Sequence, residues 1–108
     1  MTDVFRLSDI AHGRGGDKGN HANVAVIAYA AADFTWLRER LTAEAVRRYF
    51  QALGPSRVVR YEAANLLALN FVLYDVLAGG ASRSLRSDTQ GKTLALALLR
   101  MPLARLDG

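Results

Sequence analysis

The chain has 108 residues and no cysteine, so its length fits one domain, and a disulfide framework or a cysteine-based zinc site is excluded. Hydrophobic residues make up 51% of it and charged residues 22%, which is typical of a globular domain with its own core. The net charge of +4 comes mainly from scattered arginines. Without a dense basic tract, these do not favour nucleic-acid binding.

The first half of the chain predicts two strands followed by two helices. Residues 4–10 alternate as a strand does, and residues 23–30 are almost continuously apolar, as in a central strand covered on both faces. Asp33 and Thr42 are predicted to cap two successive helical segments. Gly54-Pro55 ends the second of them.

The second half predicts two further strands and two further helices. Residues 57–61 form a short strand, and Asn65 caps a buried apolar helix that is too short to cross a membrane. Residues 81–87 are predicted to form a polar strand. A last helix opens at residue 88 or 89 and is halted by Pro102, after which the tail is expected to fray.

These elements predict one domain over residues 1–108, of the α+β class. The expected architecture is a two-layer sandwich, with a mixed sheet of about four strands and helices on one face. The first residues lack the basic and apolar pattern of a signal peptide. We therefore expect a cytoplasmic protein with no membrane association.

The segment 12–21 is the most unusual part of the chain, because four glycines fall within seven residues. We predict a loop between the first two strands, where backbone can approach a ligand closely. The dinucleotide-binding glycine pattern fails, since Lys18 occupies the place of its last glycine. Lys18, Asp17, Asn20 and Asn23 could bind an anion together with backbone N–H groups. Equally, the segment could be a mobile hairpin loop that faces water.

His12 and His21 flank this segment, but no recognised metal-ligand spacing is present. Each histidine is better interpreted as a hydrogen-bonded residue, although general-base chemistry stays open for both. We predict neither a metal site nor a cofactor.

Asn70 and Arg83 are polar residues in apolar surroundings. Asn70 lies inside the predicted apolar helix and needs a hydrogen-bond partner, for which backbone across the core is favoured over a ligand. Arg83 shares a strand face with Ala81 and Leu85. It would pair with Asp17 or with an incoming carboxylate or phosphate, unless it reaches solvent.

Lys92 stands in the sequence Gly91-Lys92-Thr93, which is similar to the end of a phosphate-binding P-loop. That motif needs a glycine where Arg86 stands, so nucleotide hydrolysis is rejected. A lysine near a helix N-terminus opposes the helix dipole. An anion bound at the helix N-terminus would offset this unfavourable interaction. An exposed lysine would instead keep it, at a small cost in stability.

Three segments together resemble the small domain of the acyclic-terpene-utilisation (AtuA-type) family. They are residues 11–24, residues 65–86 and residues 88–99, and the run Gly-Asp-Lys-Gly-Asn at 16–20 is the most specific part. The resemblance covers nearly the whole chain. It departs at Gly13 and Gly15, where the family more often has alanine and serine.

The resemblance implies a ferredoxin-like fold, a large AtuA-type partner chain and a role in catabolism of terpenoids or other acyl-CoA intermediates. It implies no particular reaction. The leading hypothesis is a small subunit whose glycine-rich segment and last helix meet to hold anionic oxygens. Its candidate residues are Asp17, Lys18, Asn20, Asn23, Asn70, Arg83 and Lys92.

Within that set, Lys18, Arg83 and Lys92 would bind the anion, and Asp17 would act as acid or base or orient Arg83. Asp17 and Lys18 are the candidates for a catalytic role. A free-standing module for a carboxylate or acyl-CoA ligand is the first alternative, and a structural domain that forms homo-oligomers is the second. RNA binding ranks last, because no paired aromatic residues are expected on the strands.

Overall fold

A four-stranded sheet organises the part of the chain that the computed structural model describes, which is residues 2–76 and 88–106. The strands are β1 (Thr2–Arg6), β2 (Ala11–Lys18), β3 (His21–Ala28), β4 (Arg57–Ala63), β5 (Ala68–Tyr74) and β6 (Pro102–Leu106). The helices are α1 (Ala31–Arg40), α2 (Ala43–Tyr49) and α3 (Asp88–Leu99). The main sheet has the order β2-β3-β5-β4, and β1 pairs with β6 in a separate ribbon.

The core lies between the sheet and the helices. Alternate residues of the two central strands, including Val24 and Val26 of β3 and Phe71 of β5, are buried against apolar residues of the helices such as Leu37 and Leu98. The helices therefore cover one face of the sheet. The α+β two-layer architecture is confirmed, but every strand pair within the described ranges is antiparallel where a mixed sheet was expected.

The predicted glycine-rich loop is wrong, because this segment is the strand β2. It pairs with β3 residue for residue, from Ala11 opposite Ala28 to Lys18 opposite His21. Only Gly19, with φ of 62°, and Asn20 remain as a turn. Gly13 shows why small residues are needed, since a Cβ there would lie 3.3 Å from the carbonyl oxygen of Ala25 and 3.4 Å from Leu99 Cδ1.

The predicted helix after Asn65 is also wrong, because β5 occupies this region as a central strand. Leu69, Phe71 and Leu73 are buried, whereas Asn70 and Val72 lie on the opposite face, which is the two-residue period of a strand. Asn65 itself lies in a short 3₁₀ turn. The apolar run was too short to distinguish a buried strand from a buried helix by composition.

The helix boundaries follow the sequence more closely. Thr42 caps α2 as predicted, accepting a hydrogen bond at Oγ1 from the backbone N–H of Ala45 at 3.0 Å. Asp33 lies in the first turn of α1, and Ala30 is its N-cap residue. Gly54 adopts the left-handed conformation that ends the segment after α2.

Residues 102–106 form a strand where the tail was expected to fray. Pro102 begins β6, and the buried Leu103 belongs to the core instead of to a fraying tail. The predicted strand 81–87 lies outside the described residues. Among the helices of the described ranges, none is long and apolar enough to cross a membrane.

Candidate functional site

The candidate site lies where the open face of the sheet meets its outer strand. The face opposite the helices carries side chains from all four strands, and the described ones include no acidic residue. They are His12, Arg14, His21, Asn23, Ala25, Ile27, Arg57, Val59, Tyr61, Ala63, Ala68, Asn70, Val72 and Tyr74. This face is therefore neutral to cationic, with apolar residues between the polar ones.

A cavity of about 380 Å³ opens on this face over β2, β3 and β5. Arg14 lies opposite Ala25, and Ala25 lies opposite Asn70, so these three residues form one row across the sheet. In the next row Gly16 lies opposite Asn23. The small side chain of Ala25 and the missing one at Gly16 leave the depression between Arg14, Asn23 and Asn70.

The polar groups of this cavity are unpaired within the described residues. Arg14 and Asn23 are exposed and make no hydrogen bond or ion pair there. Asn70 is half-buried, and its amide also lacks a partner, so the backbone partner expected across the core is absent. The reason is that Asn70 lies on the open face of a strand, where its amide faces the cavity and water.

A second cavity, of about 410 Å³, adjoins the first along the outer edge of β2. It is lined by Gly13, Arg14 and Gly15 of the strand and by Lys92, Ala95 and Leu96 of α3. Arg14 and Gly15 line both cavities. The glycine-rich segment and the start of the last helix thus lie together, and Arg14 and Lys92 are both exposed cations beside the same edge.

Asp17 is the one acidic residue of the two described linings. It lies opposite the buried Ala22, on the helix side of β2. Its Oδ1 atom is buried and has no hydrogen-bond partner among the described residues. A buried acceptor in this state costs about 1–3 kcal/mol relative to a paired one, so Asp17 is suited to receive a donor from outside the described chain.

Four of the seven predicted site residues line a cavity. Asp17, Asn23 and Asn70 line the first cavity, and Lys92 lines the second. Lys18 is the last residue of β2, and Asn20 lies in the turn beyond it. Arg83 lies outside the described residues. Arg14 was missed, although strand alternation would have aligned it with Asn23 and Asn70.

The histidines have structural partners. The backbone N–H of Asp75 donates to His21 Nδ1 at 3.1 Å, and the His21 ring packs on Tyr74 at 4.7 Å between centroids. His12 stacks on Tyr29 at 5.4 Å. Within the described ranges no cluster of three or more histidine, aspartate or glutamate side chains is placed to hold a metal ion.

Two glycines of β2 permit a matched test of the site geometry. Gly13→Val is expected to destabilise the fold by about 1–3 kcal/mol, because the added atoms meet the backbone of Ala25 and the side chain of Leu99. Gly16→Val is expected to change stability by less than about 1 kcal/mol, because nothing lies within 4 Å of a Cβ there. Thermal and urea unfolding of both variants measure the difference. Equal losses would contradict the packing of α3 on β2 described above.

The sheet is antiparallel, and all described helices lie on one of its faces. The chain order is βαββα, over β3, α1–α2, β4, β5 and α3. These features define a ferredoxin-like α+β domain. The family model described as the AtuA ferredoxin-like domain matches residues 5–104. The chain belongs to this family, as the resemblance of the glycine-rich segment indicated. No curated protein and no solved structure gives a significant match.

Proposed function

We propose that this domain is the small subunit of an acyl-CoA or terpenoid catabolic enzyme, and that it binds a large AtuA-type chain through an anion-binding groove along β2. The observation that carries the proposal is the pair of adjoining cavities that share Arg14 and Gly15. Arg14 and Lys92 border this groove without an ion pair among the described residues.

The chemistry of the groove favours carboxylate or phosphate oxygens. A guanidinium such as that of Arg14 can donate two parallel hydrogen bonds to one anionic group. Asn23 and Asn70 add amide donors beside it. The described open face holds no acidic side chain, and the one carboxylate in the described lining, that of Asp17, lies on the helix side of β2.

The need for a partner follows from what the groove lacks. Its described lining contains a single carboxylate and no histidine, serine, threonine or tyrosine, so it offers no paired acid and base or activated nucleophile. No donor among the described residues reaches the buried Oδ1 of Asp17 either. In this proposal the large chain supplies both, and Asp17 accepts a hydrogen bond from it.

Co-expression of a tagged domain with a large AtuA-type chain from the same host tests the proposal. We expect the two chains to elute together in size-exclusion chromatography, and acyl-CoA turnover to require both. Turnover of acyl-CoA substrates by the isolated domain at ordinary enzyme rates would overturn the subunit proposal. So would separate elution of the two chains at micromolar concentration.

The second candidate is a free-standing module that binds a carboxylate or acyl-CoA ligand. The first cavity favours it, since about 380 Å³ is within the range of small-molecule sites. Calorimetric titration with free CoA, acetyl-CoA and short-chain carboxylates distinguishes the two candidates. Binding by the isolated domain that is lost on Arg14→Ala supports the module, and an absence of heat for all these ligands removes it.

A further inference from the structure

The outer edge of β2 has its hydrogen-bonding groups directed away from the sheet. At the end of β3, the N–H of Ala28 donates to Leu67 on the β5 side at 2.8 Å, and the N–H of Tyr29, the next residue, donates to Ile10 on the β2 side at 3.0 Å. Odd-numbered residues of β3 therefore bond to β2. Their partners are the even-numbered residues of β2, so the N–H and C=O groups of Gly13, Gly15 and Asp17 point outward.

Within the described residues, this edge has few of the devices that prevent strand pairing. Proteins protect edge strands by proline, by bulges, by short length or by charged side chains, and β2 has only the last of these, in Arg14 and Asp17. β2 has eight residues, contains no proline and keeps an unbroken register with β3. Gly13 and Gly15 have no side chain to obstruct an approaching backbone. Among the described strands, only β3 pairs with it.

The two cavities lie on opposite sides of this edge. One contains Arg14, Asn23 and Asn70 on the open face of the sheet, and the other contains Lys92, Ala95 and Leu96 on the helix side. Successive side chains of an extended segment point to opposite faces. A strand added to β2 would therefore place neighbouring side chains alternately in the two cavities.

We propose that β2 binds the partner by strand addition, taking an extended segment in which apolar residues alternate with aspartate or glutamate. On the open face an acidic side chain meets Arg14, Asn23 and Asn70, and Asp17, the one carboxylate of that described lining, lies on the other face of β2. An apolar side chain covers Leu96, which is 62% exposed, and Ala95 on the other. This inference rests on the proposed function, because it names how the large chain is held.

A second copy of this chain fits the edge less well. The helix-facing residues of its own β2 are Ala11, Gly13, Gly15 and Asp17, which supply no large apolar side chain for the cavity beside Leu96. Pairing two copies would also bring together cationic edges that each carry Arg14 and Lys92. Charge complementarity therefore favours a different, acidic segment.

Amide hydrogen exchange on the domain, alone and bound to a large AtuA-type chain, tests the inference. We expect binding to slow exchange about tenfold or more at Gly13, Gly15 and Asp17. Arg14 and Gly16 serve as internal controls, since their N–H groups already bond to β3 and should be protected in both states. The predicted signature is thus an alternation with a period of two residues.

A proline substitution gives an independent measurement. Gly15→Pro removes an outward N–H but no bond to β3, so it is expected to weaken binding of the large chain by about tenfold or more. Ala31→Pro is the matched proline control and should bind normally, because Ala31 is exposed at the first position of α1, where proline is tolerated, and lines neither cavity. Circular dichroism and thermal unfolding verify that each variant is folded. The exchange experiment uses the unmodified chain and does not depend on that outcome.

The outcomes separate the two proposals. If the large chain binds but exchange at Gly13, Gly15 and Asp17 is unchanged, the strand-addition inference is wrong and the subunit proposal stands. If these amides are already protected in the free monomer, the edge is occupied within the chain and the inference is likewise overturned. If no large AtuA-type chain binds, the subunit proposal fails, and strand addition fails with it.

Discussion

Replacing Phe71 with alanine is expected to destabilise the domain by about 3–5 kcal/mol, which is a large part of the stability of a domain this size. Phe71 is fully buried in the middle of β5, a central strand of the sheet, and belongs to the core cluster formed with the helices. Its removal leaves a cavity that rigid neighbouring strands cannot close. Urea unfolding monitored by circular dichroism measures the loss.

Val72→Ala is the matched control, because Val72 is the next residue and lies on the open face. We expect Val72→Ala to lower the free energy of unfolding by less than about 1.5 kcal/mol. This contrast between neighbours is specific to a strand. If this segment were a helix, the alanine substitutions that strongly lower the free energy of unfolding would recur three and four residues apart, as at positions 69, 72 and 73. That result would contradict the assignment of β5 as a strand.

Removal of either cation beside β2 is expected to weaken binding of the large AtuA-type chain by about tenfold, and removal of both by about a hundredfold. The variants are Arg14→Ala, Lys92→Ala and their combination. Both residues are exposed and line the groove, so their loss should leave the fold intact while it removes the attraction for anionic groups. Calorimetry or interferometry at a fixed ionic strength measures the affinities.

Arg100→Ala controls for net charge, because Arg100 is an exposed arginine just after α3 that lines neither cavity. We expect it to reduce affinity by less than about threefold, the size of a general electrostatic effect screened by salt. If Arg100→Ala weakened binding as much as Arg14→Ala did, the attraction would come from total charge alone, and the groove would have no specific role.

The parts of the fold that could be predicted from the sequence have local signals. Thr42 was identified as a cap because its hydroxyl and the following N–H groups are close in sequence. The apolar segment of β3 and the apolar stripe of α3 were likewise recognised. In each case the information lies within one helical turn or one strand length.

The errors concern elements whose conformation is decided by distant neighbours. β5 is flanked by β3 and β4, and this pairing favours a strand for an apolar run that composition alone assigned to a helix. β2 is rich in glycine, which disfavours strands in isolation, yet its small residues allow α3 to pack closely at Gly13. Neither constraint is visible before the chain is folded.

These two errors also explain what was missed in the candidate site. Asn23, Asn70, Asp17 and Lys92 were selected by residue type, and they do line the groove. Arg14 was overlooked because a loop has no defined faces, whereas a strand places every second residue on one side. With β2 and β5 as strands, Arg14 falls into the same row as Asn70.

Amide NMR spectra recorded while unlabelled large AtuA-type chain is titrated into the labelled domain give the most direct test of the groove as the binding site. The account predicts that shifts concentrate on β2 and on Asn23, Asn70 and Lys92, with little change in α1 and α2. Shifts centred on the outer surfaces of α1 and α2, with β2 unaffected, would contradict it.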